Sequence, residues 1–402
     1  MKAGWQQKEL GQLAELKGRI GWRGLTAKEY TKSGPLFLSV HSLNYGDYVD
    51  FRDAFHISEG RYDESPEIML QRDDVLICKD GAGIGKVGIV GGLPDRATIN
   101  SSLLLIRSGT GLLPKFLYHC LSSPYFQAIV NSRLNGATTP HLYQRDIAEL
   151  PIFLPPSSEQ RRIVGILDEA FEGIATAKAN AEKNLQNARA LFESHLQAIF
   201  TQPGEWCIQK TLDDICMKIT DGEHLRPEVT PSGVPFLSAK DVLDRDVVFT
   251  DPLFVSEADA QKFRKRCDPE MGDILIVSRG ATVGRTCLVK TPRSFCLLGS
   301  VLLLKVAATV SAPFIAYALK SPSIRKQLIT ASEASAQQAI YLRDIKLLKI
   351  GCPSITEQRA IVSKLDALRT ETQRLEAIYG QKLAALDALK KSLLDQAFTG
   401  LL

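Results

Sequence analysis

The sequence predicts an α+β fold in which two similar α/β globular domains are separated by two long antiparallel coiled-coil helices, with pseudo-twofold symmetry. The 402-residue chain aligns with itself at an offset of about 198–199 residues, which indicates an internal duplication. Each half mixes short β-branched runs with Gly, Pro and Asp, and then ends in about 42 residues of helical periodicity. The composition, 45% hydrophobic and 23% charged, is ordinary for a globular protein and excludes disorder, collagen-like repeats and a disulfide-dense scaffold.

Six pairs of matching segments occur in the same order in both halves. The longest pair is 75–86 with 274–285. The others are 35–39 with 234–238, 123–124 with 321–322, 145–147 with 343–345, 159–161 with 357–359, and 167–168 with 365–366. We therefore predict globular domains at 1–155 and 203–353, and spacer helices at 156–202 and 354–402.

The globular domains contain short runs that are typical of strands and two longer segments that are typical of helices. The predicted strands are Val75–Cys78, Val87–Val90, Leu103–Ile106, Ile274–Val277 and Val301–Lys305. The predicted helices, Phe116–Leu134 and Phe314–Ile329, each contain a Ser-Pro pair, within the helix or at a break.

A long helix is predicted after each globular domain, where Ser or Thr precedes a run of good helix formers. Apolar residues then alternate at spacings of three and four, which is a heptad seam. The seam positions are 163, 167, 170, 174, 177, 181, 185, 188, 192, 196 and 199, and 361, 365, 368, 375, 379, 383, 386, 389, 393 and 397, with Thr372 filling the gap. A helix about 60 Å long has no core of its own, so we expect the two copies to pair.

Charge, cysteines and hydropathy narrow the possible functions. The formal net charge of +4 permits nucleic-acid binding without demanding it. The eight cysteines form no C-x-x-C pair, which favours reduced thiols and no metal site. No signal-peptide pattern is present, and Lys305 and Pro313 interrupt the most apolar stretch, so we expect a cytoplasmic protein without a membrane span.

Two similar domains on a helical spacer suit recognition of a bipartite DNA target. Two-fold symmetric binders place their recognition elements on half-sites one helical turn apart, or a multiple of that distance. Because the two copies differ in sequence, we expect two different half-sites separated by an unread spacer, and therefore an asymmetric target.

The chain resembles the specificity subunit of a type I restriction–modification system over essentially its whole length. The resemblance depends on the duplication, the Pro-x-x-x-Glu-Gln-Arg helix starts at 155–161 and 353–359, the Asp-Gly-Glu-His segment at 221–224, and the Gly-Ala-x-x-Gly-basic turns at 81–86 and 280–285. It implies target-recognition domains for double-stranded DNA, no catalysis in this chain, and partners: two methyltransferase subunits on the paired helices and restriction/translocase subunits. S-adenosylmethionine, ATP and Mg²⁺ would then belong to those partners.

The glycine-rich turn in each copy is interpreted as a tight turn that needs positive φ, not as a nucleotide site. Gly83–Gly88 fits G-x-G-x-x-G, but strand and turn follow it instead of a helix. A phosphate-binding loop would need other residues at Asp80 and Val87. Basic residues on such a turn can approach a DNA phosphate, and the candidates are Lys79, Gly81, Lys86, Arg279 and Arg285.

Two further pairs of polar segments are candidate DNA contacts, with an ordinary connecting loop as the alternative in each case. Residues 136–145 and 335–343 hold Thr, Gln, His, Tyr and Arg, which suit base edges and phosphates. Residues 221–226 and 20–24 are predicted loops early in each domain. The candidates are Trp22, Arg23, Thr138, Thr139, His141, Tyr143, Arg145, Gly222, His224, Arg226, Gln337, Gln338, Tyr341 and Arg343. The basic run 263–266 is either a solvated helix face or a further phosphate contact.

The helices carry more apolar residues than one antiparallel seam needs. We expect those beside the seam to form an exposed surface for partner helices. They are Ile166, Phe171, Leu191, Phe200, Leu394 and Phe398.

Two other functions remain as alternatives. One is a coiled-coil scaffold with two protein-binding modules and no role on DNA. The other, with less support, is a stand-alone DNA methyltransferase or nuclease. Asp251–Phe254 lacks the second proline of an amino-methyltransferase site, and Asp73, Asp74 and Asp273 flank turns without a nuclease pattern. His224 has no nearby ligand pattern, so no metal is expected there.

Overall fold

The computed structural model describes residues 4–19, 25–134, 141–201, 208–225, 227–333 and 339–402. The chain forms two units, Met1–Ala181 with Gln381–Leu402, and Glu182–Gly380. Each unit therefore contains one globular domain and parts of both long helices.

The first unit contains nine strands and the start of the first long helix among its described residues. The strands are β1 (Gln6–Glu9), β2 (Ala14–Gly18), β3 (Thr31–Leu38), β4 (Phe55–His56), β5 (Val75–Cys78), β6 (Val87–Ile89), β7 (Ala97–Ile99), β8 (Leu103–Ser108) and β9 (Pro151–Leu154). The helices are α1 (Leu10–Leu13), α2 (Glu59–Asp63), α3 (Pro114–Ser122), α4 (Pro124–Leu134), α5 (Gln144–Ala148) and the long α6 (Ser157–Thr201), which continues into the second unit.

The described residues of the second unit contain the same succession of elements. The strands are β10 (Ile208–Thr211), β11 (Cys216–Asp221), β12 (Val234–Leu237), β13 (Leu253–Val255), β14 (Ile274–Val277), β15 (Thr286–Leu288), β16 (Cys296–Leu297), β17 (Val301–Val306) and β18 (Lys349–Cys352). The helices are α7 (Leu212–Ile215), α8 (Glu257–Arg266), α9 (Ala312–Lys320), α10 (Pro322–Glu333), α11 (Leu342–Leu347) and the long α12 (Ile355–Thr399), which ends in the first unit.

Both units have one sheet topology. A four-stranded antiparallel sheet has the order β2-β8-β5-β6 in the first unit and β11-β17-β14-β15 in the second. A three-stranded sheet has the order β4-β3-β7 or β13-β12-β16, with one parallel pair in each. The pairs β1-β9 and β10-β18 complete the units. The predicted α+β fold with two similar domains is confirmed.

The four-stranded sheet is buried on both faces, which explains why its central strands are continuous apolar runs. Alternate side chains of β5 point to opposite sides: Val75 and Ile77 pack with the helices, whereas Leu76 and Cys78 pack with the three-stranded sheet. The same division places Ile274 and Ile276 with the helices of the second unit. Every predicted strand is present, although β8 extends two residues and β17 one residue further, and β6 ends one residue earlier.

The predicted helices at 116–134 and 314–329 are each divided at the Ser-Pro pair. Proline has no N–H to continue the hydrogen-bond ladder, and the residue before it disfavours helical φ and ψ. The Ser123 hydroxyl donates to Cys120 O (2.7 Å) and accepts from Phe126 N (3.2 Å), so it bridges α3 and α4. Ser321 donates equivalently to Ala318 O (2.7 Å).

The long helices run antiparallel where they meet within each unit. In the first unit, Lys178 Nζ lies 2.7 Å from Asp387 Oδ1 and Arg162 donates to Leu402 O (2.9 Å), so numbers rise on α6 as they fall on α12. In the second unit, Arg189 Nε lies 3.2 Å from Glu376 Oε2. The predicted seam residues are buried or half-buried, except that Leu389 is 47% exposed.

The expectation of an exposed apolar surface beside the seam is wrong for most of its residues. Phe171, Leu394 and Phe398 are at most 9% exposed and belong to the core of the first unit, where Phe398 contacts Phe116 (ring centroids 5.2 Å apart). Phe200 is half-buried, with its ring 5.3 Å from that of Phe314. The globular domains, not further helices, cover this surface. Ile166 is half-buried, and Leu191 is 46% exposed as expected.

A buried glutamine fastens each long helix to its globular domain. Gln160 accepts from Leu113 N (2.8 Å) and donates to Gly111 O (2.8 Å) and Pro155 O (2.9 Å). Gln358 accepts from Ser311 N (2.8 Å) and donates to Pro353 O (2.8 Å). The Glu-Gln-Arg motif therefore satisfies backbone groups that burial would otherwise leave unpaired.

Candidate nucleic-acid interface

The glycine-rich turn joins two antiparallel strands of the four-stranded sheet. Gly81 and Gly85 have φ of +76° and +84°, and Gly85 N donates to Cys78 O (2.9 Å). Gly280 and Gly284 repeat this geometry with φ of +101° and +80°. The predicted turn with positive φ is confirmed. Because β6 or β15 follows the turn instead of a helix, the backbone does not form the cradle of a phosphate-binding loop.

In the first unit, the turn is bridged to the segment before α5. Asp80 and His141 form an isolated antiparallel bridge, and the His141 ring contacts the Asp80 carboxylate. The His141 and Tyr143 rings lie 4.6 Å apart, and the Arg145 guanidinium lies 5.4 Å from the Tyr143 ring centroid. Residues about 60 positions apart thus form one surface, on which Tyr143 is 55% exposed.

The second unit repeats the arrangement with different side chains. Arg279 and Ala339 form the bridge, and the Arg343 guanidinium lies 5.5 Å from the Tyr341 ring centroid. A cavity of about 270 Å³ opens here, with Asp221, Arg279 and Arg343 in its lining. An exposed guanidinium held over a tyrosine ring presents its N–H groups to a phosphate or a guanine edge.

Residues 221–225 are only partly the loop that the sequence predicts, because Asp221 and Glu223 take part in sheet pairing. Asp221 is the last residue of β11, and Glu223 N donates to Leu297 O (2.8 Å), so the strand continues as a bridge to β16. A side chain at Gly222 would collide with the Leu297 carbonyl oxygen, so this glycine serves backbone packing. The physical reason for the error is that a close strand approach and a turn both select glycine.

The Asp221 carboxylate contacts two basic side chains. His224 Nε2 lies 2.8 Å from Asp221 Oδ2, and Arg266 contacts Asp221 Oδ1. Arg266 comes from the basic run at 263–266, whereas Phe263 in the same run packs against Phe236 (ring centroids 5.9 Å apart). Sequence reasoning did not identify Arg266 singly, because a run of charges does not show which residue faces inward.

Of the other predicted basic contacts, Lys79 joins the surface of the first unit through Asp80, whereas Lys86 and Arg285 contact other segments. Lys86 donates to Asn44 Oδ1 (2.6 Å), and Arg285 donates to Val242 O (3.3 Å) and lines a separate cavity. Lys79 lies beside Asp80, with Nζ 3.7 Å from Oδ2. Trp22, Arg23, Thr138, Thr139, Arg226, Gln337 and Gln338 lie outside the described residues.

Three buried cysteines lie on or beside the sheets. Burial raises the pKa of the Cys78 thiol, and it raises that of Cys267 and Cys287 to about 12, so these thiols stay protonated at neutral pH. No group of three or more His, Cys, Asp or Glu residues in the described ranges could hold a metal ion. Within the same ranges, no helix is long and apolar enough to cross a membrane.

The sequence profile described as the type I restriction modification DNA specificity domain matches residues 2–186 and 203–382. The chain belongs to this family. Both copies of the specificity domain coincide with the duplicated topology, and the resemblance inferred from the motifs is confirmed. The curated relatives are named as specificity subunits of type I restriction enzymes.

Two curated relatives come from Escherichia coli. The type I restriction enzyme EcoBI specificity subunit is 25% identical over 318 residues, which are 71% of this chain and 65% of that subunit. The EcoKI specificity subunit is 22% identical over 399 residues, 91% of this chain and 86% of that one. This chain's match to EcoBI thus spans slightly less than two thirds of that relative.

Two solved structures share the fold of this chain. One comes from a study of complex assembly and conformational transition of the type I R-M system, with a TM-score of 0.79, 21% identity and 98% of both chains covered. The HsdS subunit from Thermoanaerobacter tengcongensis has a TM-score of 0.64 at 19% identity and covers 100% of this chain and 98% of its own.

Proposed function

We propose that each unit recognises one half of a bipartite, asymmetric double-stranded DNA target, and that the chain itself catalyses no reaction. The observation that supports this is the arginine stacked on a tyrosine, Arg145 on Tyr143 and Arg343 on Tyr341, next to the same turn in both units. Both guanidinium groups are about four-fifths exposed, so they are available to DNA. Phosphate contacts would set the register, and contacts to base edges would select the sequence.

The two surfaces predict two different half-sites. In the first unit, the Asp80 carboxylate contacts the His141 ring, whereas the equivalent residue in the second unit is the exposed Arg279. An additional cation on the second surface favours phosphate or guanine, and a carboxylate–imidazole pair offers a different donor pattern.

The proposed partners are two methyltransferase subunits, docked on the paired helices, and restriction/translocase subunits. In this proposal, S-adenosylmethionine, ATP and Mg²⁺ are bound by those partners, and this chain holds no cofactor. The half-buried Ile166 and the exposed Leu191 are the remaining candidates for the helical contact. Purified chain incubated with labelled S-adenosylmethionine and DNA should show no methyl transfer; turnover without partners would favour the methyltransferase alternative.

The test selects duplexes from a random pool with the full chain bound to its methyltransferase subunits, and then measures affinity by fluorescence anisotropy. We expect R343A and R145A each to weaken binding about tenfold, about 1.4 kcal/mol, and each to relax selection at only one half-site. Affinity should also fall steeply with salt, because each phosphate contact releases counterions.

The matched control is R52A. Arg52 also lies over a tyrosine, 4.3 Å from the Tyr45 ring centroid, but it pairs with Asp50 and is remote in sequence from both turns. We expect its affinity to stay within twofold of the unmodified chain. Equal losses in all three variants, or no selected bipartite motif, would favour the scaffold alternative.

A further inference from the structure

The second unit contains a cationic cavity that shares only part of its lining, Gly284 and Arg285, with the glycine-rich turn. Its volume is about 560 Å³, within the usual range of small-ligand sites. It is bordered by α9, α10 and the parts of both long helices that belong to this unit. Five cations line it: Arg189, Arg285, Lys320, Arg325 and Arg369. Three carboxylates also line it: Glu193, Asp244 and Glu376.

Positive charge exceeds negative charge around this cavity. Glu376 pairs with Arg189 (3.2 Å), and the Lys320 ammonium donates to the backbone carbonyl oxygen of Asp244 (2.6 Å). A smaller cavity of about 140 Å³ shares Lys320 and Arg369. It adds the cations Arg245 and Lys290 against the single carboxylate of Asp366, which accepts a hydrogen bond from Tyr317.

The ionisation of Lys320 reflects its burial first and the neighbouring positive charge second. Burial, and then the nearby charge of Arg369, lowers the pKa of Lys320 to about 8. The lysine therefore remains mostly charged at neutral pH, in a place that disfavours its charge. A bound anion would offset the repulsion from Arg369 and give the buried ammonium a partner of opposite charge.

The duplication shows that the fold does not require these cations. At the offset of 198 residues, Lys320, Arg325 and Arg369 correspond to Ser122, Gln127 and Phe171. Phe171 is packed in the core of the first unit. Three neutral positions of one copy are thus cations in the other, and all three line one cavity. At Lys320, packing gives no reason for the change, because a half-buried cation costs free energy.

We propose that this cavity binds a phosphate-bearing small molecule of mononucleotide size, held through its phosphate by Lys320, Arg325 and Arg369. Guanidinium groups match the geometry of phosphate oxygens, and an ammonium adds a compact charge. The inference goes beyond DNA recognition, since neither Arg325 nor Arg369 lines the surface near Tyr341.

The experiment is isothermal titration of the full chain with inorganic phosphate and with adenosine monophosphate, at constant ionic strength set by chloride. We expect saturable binding of one ligand per chain. R369F and K320S, which introduce the residues of the first copy, should each weaken it at least tenfold. R325Q provides a third variant if R369F does not fold.

The control is R374S on the same helix. It removes an exposed arginine that pairs with Glu371 (2.8 Å), and affinity should stay within twofold. Absence of saturable binding, or an equal loss in R374S, would overturn the proposal. Duplex DNA is the third ligand: if R369F weakens DNA binding tenfold while neither small phosphate binds, the cavity contacts a DNA backbone and the proposal is wrong.

Discussion

The two units share one backbone design but exchange side chains where the globular domain meets the long helices. In the first unit, Phe171 of α6 packs against His119 (ring centroids 5.5 Å apart), and Lys390 of α12 lies 4.7 Å from the Phe171 ring centroid. In the second, the position of Phe171 is Arg369 and that of Lys390 is Phe192, which lies 6.2 Å from Tyr317. Aromatic and cation have exchanged helices.

This exchange indicates that the junction between the globular domain and the long helices needs one aromatic contact, which either helix can supply. His119 and Tyr317 occupy equivalent positions, and each contacts an aspartate of a long helix. The His119 ring lies 3.2 Å from Asp168 Oδ1, and the Tyr317 hydroxyl donates to Asp366 Oδ1 (2.5 Å). Because two helices line the junction, a substitution on one can be offset on the other. The cavity of the second unit is then free to differ chemically.

The largest effect is expected at the buried glutamines, which are the same in both units. Q160L should lower the free energy of unfolding by about 3 kcal/mol and Q358L by about 2 kcal/mol, because each leaves buried backbone groups unpaired. Gln160 bonds three such groups and Gln358 two. Urea unfolding measures both.

The control for this pair is Q186L, since Gln186 is an exposed glutamine of α6. It should change the free energy of unfolding by no more than about 0.5 kcal/mol. If Q160L behaves like Q186L, the glutamine does not fasten the helix to the domain.

A second pair of variants places the residue of each unit at the equivalent position of the other, and tests whether each unit tolerates it. F171R should cost about 2–3 kcal/mol, because it removes a buried aromatic and places a guanidinium beside Lys390. R369F should change stability by less than about 1 kcal/mol, since the cavity beside it has room for a ring. Equal losses in urea unfolding would show that the second junction depends on Arg369 as much as the first depends on Phe171, which would contradict this expectation.

A pH dependence of stability is expected from the second unit. Because burial and Arg369 lower the pKa of Lys320 to about 8 from 10.5, the unfolded chain holds a proton between these values that the folded chain has released. Stability relative to K320M should therefore rise as pH increases from 8 to 10.5 and level off above it. Urea titrations of both proteins across this range measure the difference; a flat difference contradicts the assignment.

The sequence predicted those features that depend on local pattern or repetition. Periodic apolar residues located the helices, Ser123-Pro124 located the break between α3 and α4, and the duplication predicted a common topology. The covering of Phe171 and Phe398 was not predictable, because helical periodicity shows which face is apolar but not what packs on it. The bridge between Asp80 and His141 joins residues 61 positions apart, and such pairing leaves no local signal.

The arrangement of the units also bears on synthesis. Leu394, Ala397 and Phe398 complete a core whose other members precede Ala181. A growing polypeptide must therefore wait for roughly 200 more residues, on the order of 10–40 s at usual elongation rates, before its amino-terminal half can close. During that interval, an apolar strip stays uncovered on the nascent chain, where chaperones would bind.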